Sequence, residues 1–277
     1  MDLAVRVARL PAPGETVSGA EAVRGPGGKG GNQAVAAARL GARARMIGML
    51  GDDPFGEELR RNFAAEGVDV SAVGTAVGTA TGMALIVVQA DGENTITLSP
   101  GANAVLPPAA VAPADVLLMN LEVPLGAVVA AAQSTDALRI LNAAPFLGTD
   151  ISELLRQVDV LVVNETEAAR LLGGPVSDPS ALLALGPGTA ILTLGAEGAI
   201  AATADRTWTQ KGFSVEAIDA VGAGDAFCAA LAVALGSGAG MDTALRRACA
   251  AGALATTRPG AQAALPTGAE VDQLLSR

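Results

Sequence analysis

The chain has 277 residues, 51% hydrophobic and 17% charged, enough apolar content to bury a sizeable core. Its 28 acidic and 18 basic residues give a formal net charge of −10, which excludes the basic footprint that nucleic acid requires. There is no histidine, so histidine triads and histidine general bases are excluded, and aromatics are scarce, with one Trp and no Tyr, which argues against base-stacking platforms.

In chain order, residues 3–10 and 16–23 read as strands. The next segment, Gly25-Pro26-Gly27-Gly28-Lys29-Gly30-Gly31-Asn32-Gln33, is rich in glycine. It contains Gly25-x-Gly27-x-x-Gly30, formally a dinucleotide fingerprint. That fingerprint must follow a buried parallel strand, and residues 21–24 do not read as one. Nor is it a P-loop, because Gly28-Lys29 is followed by Gly30 and not by Ser or Thr. Ordering so many glycines is entropically costly. The segment therefore reads as backbone brought close to a small polar ligand, with the Lys29 ammonium and the Asn32 amide as recognition groups. The alternative is a loop with a solvated lysine. Helices follow at 32–40 and 55–66, stopped by Gly41 and Gly67. Residues 75–98 read as hairpin strands, 79–88 and 95–98, around an Asp91-Gly92 turn. These strands are expected to form a small β-sheet lid, about 3–24 and 75–99, on a single domain spanning 1–277.

From residue 115 short apolar runs alternate with helices. The strands are 116–119, 138–141, 160–163 and 190–192; the helices are about 126–134, 151–157, 165–172 and 179–185. Near-continuous apolar strands alternating with helices imply an α/β fold whose mainly parallel sheet is covered on both faces. Right-handed crossovers then bring the carboxyl ends of the strands to one edge, where such sheets bind ligands. Asn120, Glu122, Asn142, Asn164 and Thr193 fall at that edge, and a shared polar cleft is expected there. No apolar run approaches the roughly 20 residues that span a bilayer. The start, Met1-Asp2-Leu3, lacks the pattern of a secretory leader. Cys228 and Cys249 sit in alanine-rich helical sequence and read as buried free thiols of a reducing compartment. A cytoplasmic location, with no membrane partner, is the expectation.

The most informative stretch is Ala220-Val221-Gly222-Ala223-Gly224-Asp225-Ala226-Phe227. Its glycines let backbone N–H groups approach a ligand. The following helix, 226–235, offers unpaired N–H groups and partial positive charge at its start. Such a loop suits a phosphate. Asp225 either caps that helix or takes a proton from a nucleophile attacking the phosphate.

Pro13-Gly14-Glu15-Thr16, Gly27-Gly28-Lys29-Gly30-Gly31-Asn32-Gln33-Ala34, Gly51-Asp52-Asp53-Pro54-Phe55-Gly56, Asn164-Glu165-Thr166-Glu167 and Gly222-Ala223-Gly224-Asp225-Ala226-Phe227 together resemble the ribokinase-like family of carbohydrate kinases. Thr81-Gly82, Ser99-Pro100-Gly101-Ala102-Asn103 and Arg258-Pro259-Gly260-Ala261-Gln262 extend the likeness, which runs from Asp2 to the C-terminus. The resemblance implies a three-layer α/β/α fold with a β-sheet lid, and ATP-dependent phosphorylation of the terminal hydroxyl of D-ribose to ribose 5-phosphate. Another sugar or a nucleoside as acceptor, or a catalytically weak sugar-binding relative, are the alternatives.

By resemblance, Asp225 is the general base, and Gly222, Ala223 and Gly224 are the anion hole for the phosphoryl group. Asp2, Gly28, Lys29, Gly30, Gly31, Asn32 and Glu122, with Asp225, would hold the sugar. Asn164 and Glu167 would serve the phosphates and the water shell of Mg2+. Thr193, Leu194, Gly195, Ala196, Glu197, Gly198 and Cys249, with Gly224 and Asp225, would hold ATP. Asp219, Val221, Ala255, Arg258, Gly260 and Ala264 fall on a loop that would bind an activating K+, largely through backbone carbonyls. A homodimer formed through the lid is expected, since bare sheet edges are a liability.

The likeness has three departures. Ala264 stands where a hydroxyl side chain often completes the cation site. Cys249 stands where a larger polar residue often faces adenine. The family also places an apolar strand ahead of the position of Asp2. This sequence does not include it, so a start assigned downstream, or weakened sugar affinity, is expected.

Overall fold

In this computed structural model residues 1–89 and 94–277 are described. The first strand, β1 (Asp2–Val7), pairs antiparallel with β2 (Val23–Gly25). Helix α1 (Lys29–Arg39) starts three residues before the predicted 32, because Gly28, at φ 87°, turns the chain straight into it. Then come β3 (Arg45–Gly51), α2 (Pro54–Ala65), β4 (Asp69–Ala76), β5 (Met83–Gln89) and β6 (Asn94–Ser99). β1 and β5 run parallel, β5 and β6 antiparallel, and the four-stranded sheet has the order β2-β1-β5-β6.

Three predicted strands are shorter than expected; the first, 3–10, is β1 and ends at Val7. Residues 16–23 contribute one isolated bridge, Gly19 to Val7, before β2 begins at Val23; Gly19-Ala20-Glu21-Ala22 is weak strand sequence. Residues 79–82 precede β5 because Thr81 is tied elsewhere. Its N–H and hydroxyl donate to the Asp53 carboxylate at 2.7 and 2.6 Å, and its hydroxyl accepts from the Gly51 N–H at 3.0 Å. Residues 75 and 76 belong to β4, which pairs in parallel with β3. The Asp91-Gly92 turn lies outside the described residues.

The second half contributes β7 (Val116–Met119), α3 (Leu125–Gln133), β8 (Leu138–Asn142), α4 (Ser152–Leu155), β9 (Val160–Asn164), α5 (Glu165–Leu172) and β10 (Thr189–Thr193). The helix predicted at 179–185 is a 3-10 turn. β11 (Gly198–Ala202) and β12 (Thr207–Lys211) form an antiparallel edge. Helices α6 (Ala223–Gly236), α7 (Met241–Ala255) and α8 (Gly268–Leu275) complete the chain. The sheet order is β12-β11-β10-β9-β8-β7, parallel from β7 to β10.

Alternate residues of these strands enter different cores. Ile140, Val160, Val162 and Ile191 pack with residues of α6 and α7. Leu141, Leu161, Val163 and Leu192 pack with residues of α3, α4 and α5. Both faces are covered, which gives the three-layer α/β/α arrangement. It also explains why the strands read as unbroken apolar runs.

β3-β4 and the six-stranded sheet are not hydrogen-bonded to one another. Instead β3 and β7 both line a cavity of about 2500 Å³ that continues to the carboxyl ends of the central strands.

Candidate active site

The glycine-rich segment reaches the cavity at the start of α1. A Cβ added at Gly27 would sit 2.0 Å from the Asp2 carboxyl carbon, so only glycine lets β1 bring that acid so close. The Lys29 N–H donates to Glu122 Oε2 at 2.8 Å, and the Glu122 N–H in turn donates to Asn120 Oδ1 at 3.0 Å. The loop after β7 is thereby joined to the first turn of α1. Asp2, Gly28, Lys29, Gly30, Gly31, Asn32 and Glu122 all line the cavity.

Asp225 lines the same cavity, directly against α1. The N-cap of α6 is Gly222, at φ 81°. Asp225 therefore lies in the first turn, not at the capping position, and its carboxylate is turned to α1. Asn32 Nδ2 donates to Asp225 Oδ2 at 2.8 Å. Gln33 Nε2 donates to Asp225 Oδ1 at 3.0 Å and to Asn142 Oδ1, at the end of β8, at 3.1 Å. Asn32 Oδ1 is buried without a donor among the described residues, an open acceptor beside the carboxylate. The Ala223 N–H donates to the Ala220 carbonyl at 3.2 Å. Of the three predicted anion-hole residues, Gly222 and Gly224 line the cavity. A Cβ on Gly224 would meet nothing within 4 Å.

Burial dominates the electrostatics. It pushes the Asp225 carboxyl above its ordinary range, against the Lys29 ammonium and the Asn32 and Gln33 amides, which favour the charged form. Glu122 is raised by burial too, opposed by the Lys29 ammonium and N–H and reinforced by Asp225 and Asp2. Asp2 is raised chiefly by burial, with Asp225 adding. Burial alone would lower Lys29, but Asp225, Glu122 and Glu167 outweigh it, so its pKa is raised and it stays an ammonium. The result is the Lys29 ammonium among buried acids, with amide donors and acceptors between them.

The predicted nucleotide residues lie further along the sheet edge. Asn164 is the N-cap of α5, and with Glu167 it closes a capping box: Asn164 Oδ1 accepts the Glu167 N–H at 2.8 Å and Glu167 Oε2 accepts the Asn164 N–H at 2.9 Å. Each side chain commits one oxygen to the helix. Thr193 ends β10, Leu194 follows it, Gly195–Glu197 form an exposed 3-10 turn containing Ala196, and Gly198 opens β11. Cys249 is buried in α7, its thiol pushed up to about 12 by burial. Asn164 lines the cavity; Glu167, residues 193–198 and Cys249 do not.

The predicted cation loop is held by Asp219. Its carboxylate accepts the Val221 N–H at 3.0 Å and the Gly260 N–H at 2.9 Å. Arg258 is paired with Glu270 of α8, Ala255 ends α7, and Ala264 is buried in a 3-10 turn. Among the described residues no three acidic or cysteine side chains converge as a metal site.

The sequence pattern of the pfkB family carbohydrate kinases matches residues 1–268. The chain belongs to that family. This kinase is 39% identical to the ribokinase of Haemophilus influenzae over 291 residues, covering 99% of this chain and 95% of the relative. It is 38% identical to the ribokinase of Bacillus subtilis over 286 residues, covering 100% and 96%. The structure of Arabidopsis thaliana ribokinase complexed with ribose and ATP superposes with a TM-score of 0.91 at 30% identity, covering 100% of this chain and 96% of that one.

In this kinase the fold thus brings the glycine-rich segment, Glu122, Asn164 and the Gly222–Asp225 turn to one cavity from distant parts of the sequence. Sequence reasoning gave Gln33 no role. Its one available sign was a lone amide at the start of an alanine-rich helix, which does not by itself say which way the side chain turns.

Proposed function

We propose that this kinase transfers the γ-phosphoryl group of ATP to the terminal hydroxyl of D-ribose, giving ribose 5-phosphate. The observation that carries the reading is the buried Asp225 carboxylate, gripped by two amides in the first turn of α6 and facing the cavity with Lys29, Asn32 and Glu122. Phosphoryl transfer needs positioning and charge stabilisation more than covalent participation by the protein. Asp225 accepts the hydroxyl proton as the bond to phosphorus forms. The Gly222 and Gly224 N–H groups, at the positive end of the helix, offset charge on the phosphoryl oxygens. Asp2, Gly28, Lys29, Gly30, Gly31, Asn32 and Glu122 bind and orient the sugar hydroxyls. Residues 193–198 and Cys249 hold the nucleotide.

Two cations belong to the reading. Asn164 and Glu167 would hold the water shell of Mg2+ through their remaining polar atoms, without a three-acid cage, and the ion would supply neutralisation of phosphate charge. The backbone carbonyls of Val221, Ala255, Arg258, Gly260 and Ala264 would hold K+. The Asp219 carboxylate is spent on clasping their loops together, which leaves backbone carbonyls as the ligands. The four-stranded sheet acts as the lid of a single domain and joins two subunits. Its register places Val23, Ile86, Ile96 and Leu98 on one face, and Val23, Ile96 and Leu98 are exposed. A cytoplasmic location completes the reading: both thiols are free and no described helix is long and apolar enough to cross a membrane.

The test is ADP release with ribose, deoxyribose, fructose and adenosine, with and without potassium. Ribose is expected to give the highest kcat/KM. Asp225→Asn is expected to lower kcat by roughly 10²–10⁴ while calorimetry still detects sugar binding. Full turnover by that variant would remove Asp225 as the base. Sugar binding by the unmodified protein without ADP release would mark a silent sugar-binding relative.

A further inference from the structure

We infer that Gln33 is a positioning residue for this reaction: it grips one oxygen of the Asp225 carboxylate and anchors that group, through Asn142, to the end of the central sheet. The inference rests on the reading of Asp225 as the base. The Gln33 amide nitrogen has two protons and uses both, one towards Asp225 Oδ1 at 3.0 Å and one towards Asn142 Oδ1 at 3.1 Å. Asn32 takes the other carboxylate oxygen at 2.8 Å. With a separate donor on each oxygen, rotation about the Asp225 Cβ–Cγ bond is stopped, and a lone pair on each oxygen is left to receive a proton. Gln33 and Asn142 are 3% and 8% exposed, so solvent does not replace a lost bond. The anchor also spans elements. α1 carries Gln33, α6 carries Asp225 and β8 carries Asn142, so the base is aligned by the sheet that presents the rest of the site, as well as by its own helix.

Asn32 has a second task that Gln33 lacks. Its buried Oδ1 has no donor among the described residues and is open to a hydroxyl, so Asn32 is expected to touch substrate. Gln33 acts through Asp225. Removing a donor from one buried carboxylate oxygen leaves it unsatisfied and disfavours the charged base. The other groups that face Asp225 are Lys29 on α1, Asp2 on β1, Glu122 after β7 and Cys228 on α6. None is altered by a change at residue 33.

The experiment measures kcat, sugar KM and the pH profile of kcat/KM for Gln33→Leu and for Gln33→Glu, which conserves volume but can replace the donor by an acceptor. Asp225→Asn is run in parallel. Gln33→Leu is expected to lower kcat by roughly 10–100-fold, with sugar KM within about threefold of the parent. The acid limb should move to higher pH, because the charged base has lost a donor. Gln33→Glu should move the limb the same way. A merely structural role would not move the limb in folded protein. Wild-type kcat and acid limb in either variant, or a loss confined to KM, would overturn the inference. Activity retained by Asp225→Asn would overturn the reading of the base instead, which keeps the two failures distinct.

Discussion

At residue 27 the absence of a side chain makes room for an acid, because a Cβ there would fall 2.0 Å from the Asp2 carboxyl carbon. Close approach of this kind explains why the segment spends glycines despite their entropic cost. The acids it gathers are held at a price in stability. Glu122 has a folded pKa above its ordinary value, with burial as the main cause. Ionising it costs the native state more than the unfolded chain. Its favourable contribution is complete below the unfolded carboxyl pKa, about 4.3, and is lost as pH rises through the folded pKa. Glu122→Gln is therefore expected to raise Tm at pH 7, the gain disappearing near pH 3, while sugar affinity falls. Thermal melts at the two pH values, with calorimetry, check this; a lower Tm at pH 7 would refute it. Asp225 follows the same sign. Its protonated form is favoured by burial, so the acid limb of kcat/KM is expected above the ordinary aspartate range of about 3.9.

At the scale of elements, the strands that read as unbroken apolar runs are those buried on both sides. In β9, Val160 and Val162 enter one core while Leu161 and Val163 enter the other. Leu161 is 0% exposed. Leu161→Ala is expected to cost about 2–5 kcal/mol through lost transfer energy and a residual cavity; urea unfolding monitored by circular dichroism measures it, and a loss under 1 kcal/mol would argue against the layered core. The sequence located β7 to β10 well, because period and composition there are set by burial alone. It was less informative where tertiary bonds compete with local preference. Thr81 is pinned by Asp53 and Gly51, so β5 starts late. Asn164-x-x-Glu167 resembles a phosphate and magnesium pair, and the same spacing also closes a capping box. A local motif cannot tell these uses apart, because each side chain has two polar atoms and the box takes one.

For the whole molecule, two surfaces stand out. Between β3 and β7, strand edges without a ladder between them face an apolar cavity, the arrangement that accepts an added strand. On the four-stranded sheet, Val23, Ile96 and Leu98 are 69%, 53% and 44% exposed on one face. A contiguous apolar face of this kind marks an interaction surface. Leu98→Lys is expected to convert the proposed dimer into monomers, seen as a halved mass by light scattering after gel filtration. A monomeric parent protein at micromolar concentration would refute the dimer.

The amino-acid sequence by itself determined the layered α/β class, the positions of its parallel strands along the chain and the identity of the chemical groups. Periodicity, turn residues and glycine content are local properties, and the ordered motifs carry the family. The tertiary structure decided which of those groups meet. Asp225 is separated from Gln33 by 192 positions and from Asn32 by 193. No periodicity links residues so far apart, and only the packing of α1 against α6 at the end of β8 turns two amides and a carboxylate into one oriented site.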